Sequence, residues 1–365
     1  MRAVVITRPG GPEVLELHEV PVPQAGAGEV LVRVRAVGLN RADVLQRKGH
    51  YPAPPGVPAD IPGLEFAGEV AALGAPAVTA GSHRWSAGDR VMGLVGGGAC
   101  AEYVVAHGDT MLEVPGDWPG ASRPGGADPG PGLSAVAAGP ADAAGRPVSS
   151  LVAAAAIPEV FLTAYDALVR QLHLVAGESV LIQAVGSGVG TAAVQISRAW
   201  GARTFGTSRS AAKLGRAAPL GLDVAIDSSR EDFAEVVKRE TGGRGVDVIL
   251  DLVGGPALEG NLRARAVRGR MVVGGLTAGR TAPLDLGVVL NKRLTIVGTA
   301  LRSRALEEKA ALTRDFEREV MPLLASGRVA PVLDRVFPMA EVAEAHRVME
   351  ANEHFGKIVL VWERP

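Results

Sequence analysis

Hydrophobic and polar positions change their period along this chain. Over residues 1–115 the apolar positions come in short runs. Met1 to Thr7 and Val30 to Ala36 have strand-like apolar content, and Leu31, Arg33 and Arg35 alternate with Val32, Val34 and Ala36. A period of two predicts strands. Frequent glycine and proline break the segment up, which predicts a compact barrel of short strands. From Leu151 onward strand-like and helix-like runs alternate. Strands are predicted at Ser179–Ala184, Arg203–Thr207, Asp223–Ile226, Val246–Asp251, Arg270–Gly274 and Leu294–Val297. Helices are predicted at Gly190–Trp200, Ala211–Leu220, Arg230–Thr241 and Pro256–Ala266. Such alternation predicts an α/β unit with a doubly wound parallel sheet. Leu151–Arg170 predicts one helix carrying Pro158. The tail predicts a strand near Val332–Val336, a helix and a last strand, Lys357–Val361.

Composition changes that picture in one place. Residues 116–150 are dense in glycine, proline, alanine and serine, which predicts a flexible surface insertion, with a lid or docking loop as the functional alternative. Elsewhere composition mainly excludes. A length of 365 residues with 47% hydrophobic content suits two domains with a sizeable core. A net charge of −1, from 38 basic and 39 acidic residues, offers no pull on a polyanion, so no nucleic-acid partner is expected. No apolar run reaches the roughly 18 residues that span a bilayer, and the first residues lack the apolar segment of a signal peptide. Cys100 is the one cysteine, which excludes an intramolecular disulfide and a thiolate zinc cage and fits the cytoplasm.

The chemistry is densest in Val180 to Ala202. A buried strand runs into Gly186-Ser187-Gly188-Val189-Gly190, and a helix follows. Gly186 and Gly188 suit unusual backbone angles and close approach of a diphosphate, and Gly190 suits helix–sheet packing. The helix N-terminus turns free N–H groups toward phosphates. The GSGVG spacing departs from GxGxxG; a plain tight turn is the structural alternative. An NAD site places an acid about 20 residues past the glycines. Here no Asp or Glu occurs between Gly190 and Asp223. Ser208, Arg209 and Lys213 stand there instead and supply hydroxyl and cationic partners for a 2′-phosphate, so NADPH is expected over NADH.

The segment NRADVLQRKGHY, Asn40 to Tyr51, followed by PAPPG, resembles zinc-free quinone oxidoreductases of the medium-chain dehydrogenase/reductase superfamily, the group that includes zeta-crystallin and the p53-inducible quinone oxidoreductase. The likeness continues through AAAIPEVFLTAYDAL, GSGVG, DLVGG, TALRSRALEEK and the stretch from Ala330 to Leu360. It excludes the 116–150 insertion and a shorter one near Ala75–Trp85. The resemblance implies a GroES-like β-barrel catalytic domain over 1–157, a Rossmann cofactor domain over 158–302, and a return to the catalytic domain over 303–365. It implies NADPH-dependent reduction of a quinone, and a dimer. Zinc members of the superfamily carry a cysteine where this chain has Asn40 and a histidine where it has Leu64, so no metal is expected.

Within that resemblance Asn40 and Tyr51 are the candidate catalytic residues. Asn40 can bond the cofactor or a quinone oxygen; as the plain alternative it caps the helix Arg41–Arg47. Tyr51 can stack on the quinone or donate to it; as the plain alternative it is a core aromatic. Thr163, Gly275 and Leu301 match positions lining the nicotinamide, and Lys357 matches one near the cofactor ribose. Asp43 and Arg47, one turn apart, are read as a helix-face ion pair. Relatives often carry a tyrosine after the third strand of the cofactor sheet, where this chain has Ile226-Asp227-Ser228. Leu294–Val297 is an apolar strand at a sheet edge, which predicts pairing with a second copy. An enoyl-thioester or enone reductase and a non-catalytic, crystallin-like NADPH-binding protein are the rival readings.

Overall fold

The computed structural model describes residues 1–75, 84–115, 142–146 and 148–362. Most of the expected 116–150 insertion, and the middle of the one near Ala75–Trp85, lie outside the described residues. At the described end of the longer one, Asp142 closes a turn with Arg146, whose Nε donates to it at 2.7 Å, and Ser149 caps the helix Ser150–Ala154. No helix among the described residues is long and apolar enough to cross a membrane.

The chain divides into two compact units: Met1–Leu162 with Leu301–Pro365, and Thr163–Ala300. The first is built around the strand Glu29–Leu39. One of its edges pairs antiparallel with Glu65–Leu73. The other edge is shared, with Tyr103–His107 covering Glu29 to Arg33 and the final strand Lys357–Val361 covering Ala36 to Leu39. Register shifts near Val32 and Ala36 bend it between the two partners. Val30, Val32, Val34 and Val37 are buried in a core with Phe66, Val91, Met111 and Leu360. The alternation of Arg33 and Arg35 with buried valines is therefore real, and the helix Arg41–Arg47 follows as predicted.

The second unit is a six-stranded, all-parallel sheet. Its spatial order is Val224–Asp227, Arg203–Ser208, Ser179–Ile182, Val246–Asp251, Arg265–Val273, Thr295–Gly298. Chain order reverses between Ser179–Ile182 and Val246–Asp251, the switch point at whose carboxyl end such sheets bind ligands. The two central strands, Ser179–Ile182 and Val246–Asp251, are buried almost throughout, so they read as apolar runs. Most predicted boundaries shift by one to three residues, and two differ more. Arg265–Val273 starts earlier than its apolar run: Arg265 lies buried at its start, and Arg270 donates to Leu172 O and Glu178. Pro158 splits the predicted Leu151–Arg170 helix into Ser150–Ala154 and Pro158–Tyr165, followed by a π-helical turn over Asp166–Gln171. Proline has no N–H to continue the ladder and disfavours helix in the residue before it.

Candidate functional site

In the first unit Asn40 joins the strand Glu29–Leu39 to the helix Arg41–Arg47. Its N–H donates to Asp43 Oδ2 at 2.8 Å, which satisfies one orphan donor at the helix start. Its Nδ2 donates to Gly38 O at 3.1 Å and to Glu65 Oε1 at 2.8 Å. Its Oδ1 accepts from Lys357 Nζ at 2.7 Å. Lys357 also donates to Leu39 O at 2.8 Å and to Glu65 Oε1 at 2.6 Å. Asn40, Glu65 and Lys357 are all buried, and every ammonium proton has an oxygen to meet. The second Glu65 oxygen accepts from the N–H of Glu159 at 2.9 Å. Two glycines make room for this network. A Cβ at Gly38 would lie 2.3 Å from both Ala155 O and Glu65 Oε1. Gly63, at φ +102°, turns the chain before Leu64-Glu65, and its N–H donates to Asp43 Oδ1 at 2.9 Å.

Burial pushes the Asp43 carboxyl up to about 6, against the pull of the Asn40 and Gly63 N–H groups. Glu159, half-buried, is pushed up to about 8, first by desolvation and then by the neighbouring charge of Glu65. At neutral pH Glu159 is therefore mostly an acid. Arg302 completes the group. Its guanidinium donates to Gly96 O at 2.7 Å, Tyr51 O at 3.1 Å and Gln46 Oε1 at 2.6 Å, and lies 4.9 Å from the centre of the Tyr51 ring. The Tyr51 hydroxyl is pushed up by desolvation and then by Glu159, with Arg302 opposing.

The structure thus brings Asn40 and Lys357 into one network and sets Tyr51 against Arg302. The expected contact of Lys357 with a cofactor ribose finds no spare donor, since all three are spent inside the unit. The helix-face pair of Asp43 and Arg47 is absent. Both are fully buried, and Arg47 instead bonds Gly10 O, His346 Nδ1 and Glu350. Sequence reasoning missed Glu65, Glu159 and Arg302 as functional candidates. They sit in GLEFAGEV, AAAIPEVFLTAYDAL and TALRSRALEEK, and charges inside such apolar stretches were the available signal.

In the second unit the strand Ser179–Ile182 leads into the glycine turn and the helix Gly188–Ala199. The left-handed residue is Ala184, at φ +53°, and Gly186, Gly188 and Gly190 do not adopt positive φ. This corrects the reading of Gly186 and Gly188 as conformational glycines; the left-handed residue lies two positions before Gly186. Gly190 is a packing glycine, since a Cβ there would lie 2.6 Å from the carbonyl oxygens of Ala184 and Val185. Ser187 Oγ accepts from the Gly190 N–H at 3.0 Å, a helix cap. The turn is tied sideways as well. Val185 N–H donates to Thr207 O at 2.9 Å, and Thr207 Oγ1 donates to Gln183 Oε1 at 2.5 Å. Val189 is half-buried in the first helical turn.

Ser208 ends the neighbouring strand, and its Oγ accepts from the Ser210 N–H at 3.1 Å. Arg209 is exposed and Lys213 half-buried, one helical turn on. Asp227 lies in register with Ser208 on the next strand. Hydrogen bonds from the Ser229 O–H and N–H hold its carboxyl below the usual range, so a fixed negative charge stands beside Ser208. Asp227 lies past Asp223, beyond the stretch after Gly190 that holds no acid. Gly275 follows Arg265–Val273 at the same carboxyl edge, where a Cβ would lie 2.8 Å from Leu252 O. Thr163, half-buried, opens this unit, and Leu301, buried, opens the return of the first.

Comparison with known proteins agrees with this architecture. Residues 26–116 match the alcohol dehydrogenase GroES-like domain, and residues 188–325 match the zinc-binding dehydrogenase family. The chain is 29% identical to the quinone oxidoreductase of Lama guanicoe, over 99% of this chain and 97% of that one. It is 33% identical to a phthioceranic/hydroxyphthioceranic acid synthase of Mycobacterium tuberculosis, over 97% of this chain but only 15% of the synthase's length. Among solved structures, an NAD-dependent alcohol dehydrogenase superposes with a TM-score of 0.79 at 31% identity, over 100% of both chains. An Escherichia coli quinone oxidoreductase complexed with NADPH superposes with a TM-score of 0.80 at 27% identity, over 99% of this chain and 100% of that one.

Proposed function

The chain belongs to the medium-chain dehydrogenase/reductase superfamily, and from that premise we propose that it reduces conjugated carbonyl compounds, quinones foremost, with NADPH and without zinc. The observation that carries this reading is Tyr51, set against Arg302 and within electrostatic reach of Glu159, which is held as an acid.

The residues around Asn40 do not suit zinc. Both Asn40 amide donors and its oxygen are engaged, Leu64 has no lone pair, and the Lys357 ammonium already sets a positive charge between Asn40 and Glu65. Among the described residues no three His, Cys, Asp or Glu side chains converge. NADPH suits the second unit. The helix start behind Gly186–Gly190 takes a diphosphate. Arg209 and Lys213 offer cations to a 2′-phosphate, with Ser208 beside them, while Asp227 opposes. Thr163 and Gly275 would line the nicotinamide. When bound, NADPH supplies a hydride. The NADPH complex of the E. coli relative supports the choice of cofactor.

The chain's own residues hold and move the proton. A quinone that has taken a hydride carries an anionic oxygen and needs one proton. Tyr51 and Glu159 both keep theirs at neutral pH and can give it, as general acids do. Arg302 orients the Tyr51 ring. Glu65, tied by Lys357 and Asn40, orients Glu159 through its N–H.

The match to the synthase favours a second reading, reduction of an enoyl thioester, which needs the same hydride and a proton on carbon. One assay separates them: NADPH oxidation with 1,4-benzoquinone, 9,10-phenanthrenequinone or a trans-2-enoyl thioester, with NADH in parallel and a chelator present. Quinone turnover with NADPH supports the proposal, and turnover on the thioester alone replaces it with the second reading. NADPH binding without turnover would make this a cofactor-binding protein. The proposal includes a homodimer. Thr295–Gly298 is an outer strand of the sheet, half-exposed, and Leu286 and Leu290 on the preceding helix Leu286–Lys292 are 69% and 75% exposed.

A further inference from the structure

We propose that the amino-terminal edge of the parallel sheet in the second unit is an anion site, built around Arg265, that takes a phosphoryl group of a small phosphate ester or diphosphate. This edge lies at the opposite strand ends from the glycine turn. A cavity of about 400 Å³ opens there, lined by Lys238, Arg244, Arg263, Arg265 and Lys292 with Val267 and Val288. None of the lining residues is acidic.

Four of the five cations have local reasons to be present. Lys238 pairs with Glu235 at 3.0 Å, and Arg244 pairs with Asp247. Arg263 pairs with Asp232 at 2.7 Å and Glu235 at 3.0 Å. Lys292 donates to the carbonyls of Leu262, Arg263 and Arg265, where the helix Leu258–Ala264 ends and its dipole is negative. Arg265 has no such reason. It is 1% exposed and has no carboxylate partner, and its one hydrogen bond runs from Nη1 to Thr295 O at 3.1 Å. Nε and Nη2 are buried without a partner. An unpaired buried cation is costly, and a buried donor without an acceptor adds to that cost.

The two unpartnered nitrogens define the ligand. Nε–H and one Nη2–H lie along the same edge of the guanidinium plane and point the same way. That fork matches two oxygens of one phosphoryl group, in the two-pronged geometry that favours arginine over lysine at phosphate sites. Burial lowers the Arg265 pKa to about 10, so the group stays charged at neutral pH. Arg263, Lys238 and Arg244 are 37%, 40% and 54% exposed, and each would exchange a carboxylate partner for the anion. Val267 and Val288 give the cavity an apolar wall for the body of an ester.

The test is calorimetric titration of the full chain with inorganic phosphate and with pyrophosphate. NADPH is held at saturation so that the glycine turn is occupied, and potassium chloride at matched ionic strength is the control. Saturable binding that chloride does not reproduce is expected, weakened at least about tenfold in Arg265→Met by loss of the bidentate contact. Arg265→Met can lose its fold for other reasons, so Lys238→Ser/Arg244→Ser, altered only at exposed positions, is the second variant. It is expected to keep the wild-type melting temperature and bind pyrophosphate several-fold more weakly. Absence of saturable binding, binding matched by chloride, or equal affinity in wild type and the double variant would each overturn the proposal. Because the readout is binding away from the glycine turn, it does not depend on which carbonyl compound is reduced.

Discussion

The two candidate regions are made in opposite ways. The first-unit network is assembled from distant side chains: Asn40, Glu65, Glu159 and Lys357 come from four separate stretches and meet through buried charges. The second-unit turn is assembled from adjacent backbone, with Ser187 capping its own helix and Thr207 holding the turn to the next strand. The first depends on charge compensation, the second on the absence of side-chain bulk. They should therefore fail differently.

The largest effect is expected at Lys357. Lys357→Met leaves Glu65 buried and uncompensated, which costs about 3–5 kcal/mol in chemical denaturation. Adding Glu65→Gln should recover most of it, and a double variant no more stable than the single one would show that packing, not charge, holds the network. At the turn, Gly190→Val places bulk against the Ala184 and Val185 carbonyls, 2.6 Å from a Cβ. A loss of about 1–3 kcal/mol is expected, with weaker NADPH binding by fluorescence titration. Charge changes nearby should not mimic that loss of stability. Arg209→Ala should shift the NADPH-to-NADH ratio of kcat/KM about tenfold toward NADH, near 1.4 kcal/mol. Asp227→Asn should move it the other way, and no change in either variant would remove both residues from cofactor choice.

The last test concerns pH. Glu159 is raised from 4.5 to about 8, so the folded state holds a proton that the unfolded chain has released. Its contribution is full below about pH 4.5 and is lost as pH rises toward 8. Asp43 acts in the same direction between 3.8 and about 6. His346, lowered from 6.5 to about 3 by burial and then by Arg47, acts in reverse, and its contribution is lost as pH falls below 6.5. The clean measurement is the difference between wild type and Glu159→Gln from pH 5 to 8. The wild type should lose stability relative to the variant as pH rises, and parallel profiles would contradict a raised Glu159.

Legibility followed the same division. The strands Val246–Asp251 and Lys357–Val361 and the helix Arg41–Arg47 were read to the residue, because buried parallel strands and a capped amphipathic helix carry their signal locally. The glycine turn was also legible, though its left-handed residue, Ala184, was not, since nothing about an alanine announces positive φ. Asp43 and Arg47 were misread because spacing along a helix says which residues are neighbours, not which face is buried. The apolar pattern of Leu151–Arg170 runs unbroken across Pro158, but proline disfavours helix in the residue before it, and the helix divides there.

The sequence by itself determined the layered α/β organisation, the glycine turn between strand and helix and the superfamily, because each rests on periodicity or on contiguous residues. Only the tertiary structure decided that Glu65 and Lys357, 292 positions apart, form one ion pair. It also decided that Glu159 is held as an acid and that Arg265 is buried with two donors unmet. Solvation and charge are properties of surroundings, and the surroundings of a buried ionisable group are supplied by residues remote in the chain.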